Sequence, residues 1–144
     1  VATVLTMGSF DLLHPGHVGL LRRCRAIAHS GGRVVVAVNT DDFIAHFKDR
    51  RPVMAYAERA TMVEAVRYVD QVVENDGADQ AKLIEMVKPD WLVVGADWAT
   101  KDYMAQLGIT YEWLAEHGIA LIYLVHGQSA AISSTQVRAR MAES

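Results

Sequence analysis

Gly8-Ser9-Phe10-Asp11-Leu12-Leu13-His14-Pro15-Gly16-His17 is the stretch on which the reading of the fold turns. It follows an apolar, β-branched run at 1–7 and leads into a segment with Leu20 and Leu21 on one helical face, so it reads as a strand-to-helix turn. Gly8 lets backbone come close to a bound phosphate, and Gly16 lets the chain turn tightly into the helix. A helix amino terminus offers free N–H groups and partial positive charge to an anion. His14 and His17, three residues apart around this turn, can both donate to oxygens of one phosphate. As negative charge builds on that phosphate during attack, such donors stabilise the transition state more than the ground state. A zinc site from His14, His17 and Cys24 lacks a fourth ligand and the usual paired spacing. The G-x-G-x-x-G and Walker A patterns are absent from this turn.

Working outward, strands are predicted at 1–7, 33–39, 71–73, 91–94 and 120–124. Helices are predicted from near residue 17 to before Ser30-Gly31-Gly32, over 56–66, over 78–87 ahead of Pro89, over 110–117 ahead of Gly118, and over 134–141. This alternation is the pattern of βαβ units and predicts a Rossmann-like, doubly wound α/β fold with a parallel sheet covered on both faces. No repeat or linker-like stretch divides the chain, so 1–144 is treated as one domain. Two stretches, 40–54 and 95–108, read as irregular and follow strand carboxyl ends, where ligands bind in open α/β sheets. The first carries Lys48, Arg50 and Arg51; the second carries Asp97, Trp98 and Lys101.

The 144 residues, 51% hydrophobic, suffice for one buried core. A net charge of -3 is not that of a nucleic-acid or membrane-surface binder, so neither partner is expected. Any anionic ligand has to be held by local positive charge. The single cysteine, Cys24, cannot close an intrachain disulfide, and the apolar run at 1–5 is too short for a membrane span and lacks a basic leader. A cytoplasmic protein is the expectation.

His14-Pro15-Gly16-His17 resembles the H-x-G-H signature of the nucleotidyltransferase superfamily, and Ile132-Ser133-Ser134-Thr135-Gln136-Val137-Arg138 is similar to its I-S-S-T-x-x-R segment. The resemblance implies a five-stranded sheet of order 3-2-1-4-5 and direct attack of a phosphorylated acceptor on the nucleotide α-phosphorus. It implies His14, His17 and Arg138 as catalytic residues, and Gly8, Ser9, Phe10, Asp11, Gly16, Asp97, Ile132, Ser133, Ser134 and Thr135 as nucleotide ligands. A magnesium ion bridging the triphosphate is expected, with Asp11 contributing to its shell. A homodimer is also implied.

Within that superfamily, the segment 67–73 resembles the R-Y-V-D-E-V segment of glycerol-3-phosphate cytidylyltransferases, and Gly95-Ala96-Asp97-Trp98 resembles their G-D-D-W segment. By this resemblance Asp41, Lys48, Arg50, Arg59 and Arg67 bind the substrate, and CTP with glycerol 3-phosphate is the leading pair, giving a CDP-alcohol and pyrophosphate. The chain departs from that pattern in three places. His126 precedes the terminal motif where the family carries arginine, and 102–113 lengthens the segment before the fifth strand. Val36-Ala37-Val38-Asn39 and Arg51-Pro52-Val53 also resemble bacterial heptose-1-phosphate adenylyltransferases. Adenylate transfer to a sugar phosphate such as heptose 1-phosphate is therefore the alternative, and a non-catalytic nucleotide-binding module is the third reading.

Overall fold

The computed structural model describes residues 2–96, 101–125 and 134–143, and of residues 134–136 and 143 the backbone alone. Five parallel strands, β1 (Thr3–Gly8), β2 (Arg33–Asn39), β3 (Gln71–Asn75), β4 (Trp91–Gly95) and β5 (Ala120–Leu124), form one sheet in the order β3-β2-β1-β4-β5. Around it lie α1 (Pro15–Ala28), α2 (Asp41–Lys48), α3 (Tyr56–Glu64), α4 (Gln80–Val87), α5 (Tyr103–Leu107), α6 (Tyr111–Glu116) and α7 (Ser134–Glu143). Successive strands run from β1 outward to β3 and then return to β4 on the other side of β1. The switch point falls between β1 and β4, as the sequence predicts.

The apolar continuity of β2 follows from burial on both faces. Val34, Val36 and Val38 pack with Leu21, Cys24 and Val63 on one side. Val35 and Ala37 pack with Ile84, Leu92 and Leu107 on the other. Each fully buried valine of this kind contributes roughly 1.5–3 kcal/mol by leaving water. Among the described residues no helix is long and apolar enough to cross a membrane.

Two helices replace stretches expected to be irregular. In α2, the Thr40 hydroxyl accepts from the Phe43 N–H at 3.2 Å, and Asp41 and Asp42 complement the first-turn dipole. The helix ends after two turns at Asp49, whose φ of 56° is left-handed. In α5, Asp102 caps the Ala105 N–H at 3.0 Å, and Gly108 at φ 71° closes the helix after five residues. Both are too short for an apolar period to stand out. α1 begins at Pro15, two residues before the expected start.

The segment 67–70 is fixed at the amino edge of the sheet. The Asp70 carboxylate accepts from the Val34 N–H at 2.7 Å and pairs with Arg25, which also donates to the Tyr68 carbonyl. With β2 seven residues long, this edge is roughly 20 Å from the carboxyl edge at ~3.3 Å per residue.

Candidate active site

The turn after β1 is backbone-strained. Phe10 and Leu12 sit at φ 52° and 53°, a left-handed conformation that costs a non-glycine residue about 1–2 kcal/mol. Burial holds it in place, because the Phe10 ring packs with Leu21 and Val93 in the core. A Cβ on Gly8 would stand 3.1 Å from that ring, so glycine here makes room for Phe10.

His14 caps α1 with its own side chain. Its Nδ1 accepts from the Gly16 N–H at 3.0 Å, and the His14 N–H donates to Nδ1 of His17 at 3.2 Å. The rings stack with centroids 3.9 Å apart. An Nδ1 that accepts from a backbone N–H carries no proton, so each neutral ring carries its proton on Nε2. Burial, then the neighbouring His14, push the His17 pKa down to about 3. His17 is therefore a neutral donor at physiological pH, oriented by the same hydrogen bonds that start the helix.

Asp11, 7% exposed, pins the basic loop against this turn. Its two oxygens accept from the Val53 N–H at 2.8 Å and the Met54 N–H at 3.0 Å. A cavity of about 160 Å³ lies alongside, lined by His17, Asp11, Lys48, Arg50, Arg51 and Arg138 among others. Among the described residues four cations, of which Arg51 also pairs with Asp42 at 3.0 Å, and one carboxylate line this cavity in a chain of net charge -3, which is the local positive charge an anionic ligand requires. Arg138 comes from α7 and lies 3.7 Å from Asp11. Desolvation, then the Arg50 and Arg138 charges, depress the Lys48 pKa, and an arriving phosphate would relieve that repulsion. Lys48→Ala and Arg50→Ala should each raise KM for a phosphorylated substrate severalfold with little change in kcat, since a phosphate charge that is constant through the reaction is bound alike in both states. Steady-state kinetics on each substrate measure this, and an unchanged KM for both substrates would contradict it.

Other expected ligands are placed differently. Arg59 is fully buried and donates to the carbonyls of Met54 (2.9 Å), Ser9 (2.7 Å) and Asn39 (2.8 Å) and to Asp41 (2.7 Å). It holds the walls of the site together, its guanidinium engaged by protein partners where the sequence reading expected substrate. Asp41, its ion-pair partner, is engaged in the same cluster. Arg67 precedes β3 at the amino edge, against the Tyr68 ring, and does not join the cleft. Asp97, Ile132 and Ser133 lie outside the described residues, as do Trp98 and His126; Ser134 and Thr135 open α7, their side chains outside the description. Sequence reasoning did not single out Asn39, Asn75 and Gln80, which join beneath the edge of the site. Their signal was a polar residue closing each of two apolar strands.

A doubly wound sheet with a histidine pair at its first helix and a cationic cleft at its carboxyl edge is the architecture of a nucleotidyltransferase. The family model described as "Cytidylyltransferase-like" matches residues 5–140, and the chain belongs to that family. The bifunctional protein HldE of Gluconobacter oxydans (strain 621H) is 42% identical over 127 residues, 88% of this chain and 25% of that protein. HldE of Azorhizobium caulinodans is 40% identical over 139 residues, 95% of this chain and 27% of that protein. The chain thus spans about a quarter of the length of these relatives. Among solved structures, the lipopolysaccharide core biosynthesis protein from Thermoplasma volcanium GSS1 superposes with a TM-score of 0.67 at 25% identity, over 88% of this chain and 96% of that one. Thermotoga maritima TmcAL bound with alpha-thio ATP shares the fold, with a TM-score of 0.66 at 12% identity over 99% of this chain and 51% of that one.

Proposed function

We propose that this chain transfers adenylate from ATP to the phosphate of a heptose 1-phosphate, forming a nucleoside diphosphate sugar and releasing pyrophosphate. The observation that carries the reading is the pair of oriented Nε2–H donors beside a cleft with four cations. An acceptor phosphate oxygen attacks the α-phosphorus in line, a new P–O bond forms, and the bond to the pyrophosphate oxygen breaks. The His14 and His17 donors meet oxygens that gain charge in that step, while Lys48, Arg50 and Arg138 balance the phosphates. Asp11 is the one carboxylate on the cavity wall among the described residues, and no group of three metal-binding side chains occurs among them. That donor set suits a magnesium ion held chiefly by substrate phosphates, which would neutralise charge on the leaving pyrophosphate.

The choice of ATP and a sugar phosphate departs from the leading sequence expectation. CTP and glycerol 3-phosphate were favoured by 67–73 and by Gly95-Ala96-Asp97-Trp98. The first of these begins at the far edge of the sheet, where Asp70 and Tyr68 bind Arg25. By contrast, Val36–Asn39 is the end of β2, and Arg51 and Pro52 line the cleft; these are the stretches that resemble heptose-1-phosphate adenylyltransferases. Relatives named HldE and a lipopolysaccharide core biosynthesis protein at 25% identity support the same acceptor class. The test is a matrix of ATP, CTP, GTP and UTP against heptose 1-phosphate, glycerol 3-phosphate, phosphocholine and phosphoethanolamine, read by pyrophosphate release. ATP with heptose 1-phosphate should exceed every other pair by at least about tenfold in kcat/KM. Faster turnover of CTP with glycerol 3-phosphate would overturn the assignment.

A further inference from the structure

A second cavity, about 130 Å³, opens beside the first, and Ser9 and Lys48 line both. Asn39, Asn75 and Gln80 form part of its wall, facing Phe43 and Phe47, whose rings lie 4.9 Å apart. The three carboxamides form one hydrogen-bonded chain with a defined direction. The Gly77 N–H donates to Asn75 at 3.1 Å, and because a backbone N–H can only donate, the accepting atom is Oδ1. Asn75 Nδ2 is thereby the donor to Asn39 Oδ1 at 3.1 Å and to Gln80 Oε1 at 3.0 Å. Gln80 Nε2 then donates to the Gln106 carbonyl at 2.8 Å, and Asn39 Nδ2 donates to the Ser9 hydroxyl at 3.4 Å. Gly77 itself is fixed as glycine, for its φ is 77° and a Cβ would stand 2.4 Å from the Phe43 ring.

The consequence is a wall of fixed donors. Asn75 uses both amide protons inside the chain, whereas Asn39 and Gln80 each use one there and line the cavity. Ser9 accepts from Asn39, so its own proton is directed elsewhere. Oxygen-rich ligand groups match such donors, and the C–H face of a sugar ring matches the two phenylalanines opposite. Lys48 at the seam suits a phosphate poised between the two cavities.

We propose that the Asn39–Asn75–Gln80 chain is the specificity determinant for a polyhydroxylated acceptor body, Asn39 and Gln80 donating to its hydroxyl oxygens and Asn75 setting their direction. This rests on the sugar-phosphate reading and names the residues that enforce it. The experiment is calorimetric titration of the nucleotide-free protein with heptose 1-phosphate and, separately, with phosphocholine, which carries a phosphate but no hydroxyl. Wild type should bind heptose 1-phosphate at least about tenfold more tightly. Gln80→Met removes one donor, and Asn39→Asp keeps shape while turning the Ser9-facing atom into an acceptor. Each should weaken heptose 1-phosphate by about tenfold or more and leave phosphocholine within about threefold, with KM for ATP unchanged. Equal binding of the two ligands by wild type overturns the proposal without any variant having to fold, as does an equal effect of either folded variant on both. Heptose 1-phosphate that binds selectively but is not adenylylated would sink the proposed reaction and leave this inference standing. Adenylylation indifferent to both substitutions would do the reverse.

Discussion

Replacing either His14 or His17 by alanine should lower kcat by about 10²-fold or more, the usual loss for one preorganised transition-state donor. The hydrogen bonds around α1 explain why the effect is catalytic. Each imidazole uses Nδ1 to accept from a backbone N–H and leaves Nε2–H as its donor, so orientation is fixed before substrate arrives. Alanine at residue 14 also removes a helix cap, at a cost of about 1 kcal/mol, which the buried face of α1 tolerates. Far-ultraviolet circular dichroism should therefore remain native. Because burial and the neighbouring His14 push the His17 pKa far down, to about 3, its protonation should not produce an acid limb between pH 5 and 8. A folded variant with near-wild-type turnover would refute the role of the pair.

Arg59 should give the largest stability loss. Its fully buried guanidinium binds Ser9 from the motif turn, Asn39 from the end of β2, Met54 from the basic loop and the partly exposed Asp41 at the start of α2. Arg59→Met leaves three carbonyls and one partly exposed carboxylate without that partner, and each buried acceptor left unpaired costs about 1–3 kcal/mol, for a total of at least about 3 kcal/mol. For a domain of 144 residues this corresponds to a fall in Tm of about 10 °C or more. Lysine should not rescue it, since one ammonium cannot reproduce a planar fork spanning four partners. Thermal and urea unfolding measure the loss. A change below about 1 kcal/mol would mean that the four walls hold together without Arg59.

The fate of Arg59 also indicates what the sequence could reveal. The parallel sheet covered on both faces was legible because β2 is apolar on both faces, and its strand order and switch point followed from the resemblance that the flanking motifs carry. The histidine pair was legible from the glycines and proline around it. Burial of a charged side chain was not, because apart from the nearby Met54 carbonyl Arg59 gains its partners from Ser9 and from the Asn39–Asp41 stretch, which only the fold brings to it. Likewise 67–73 resembled a substrate-reading motif, yet its Asp70 and Tyr68 bind Arg25 on the edge away from the cleft. The carboxamide chain was hidden for a further reason. Asn39, Asn75 and Gln80 are unremarkable singly, and only the pairing of Asn39 beside Asn75 across β2 and β3 brings them together.

Product analysis by ³¹P NMR tests the central claim most directly, because it reports which phosphorus is attacked. Wild-type protein with ATP, heptose 1-phosphate and magnesium should give the adenosine diphosphate sugar and pyrophosphate in equal amounts, and His14→Ala should slow both together. Appearance of ADP with a doubly phosphorylated sugar would place attack at the γ-phosphorus and contradict the account, as would absence of any product from folded protein that binds both substrates.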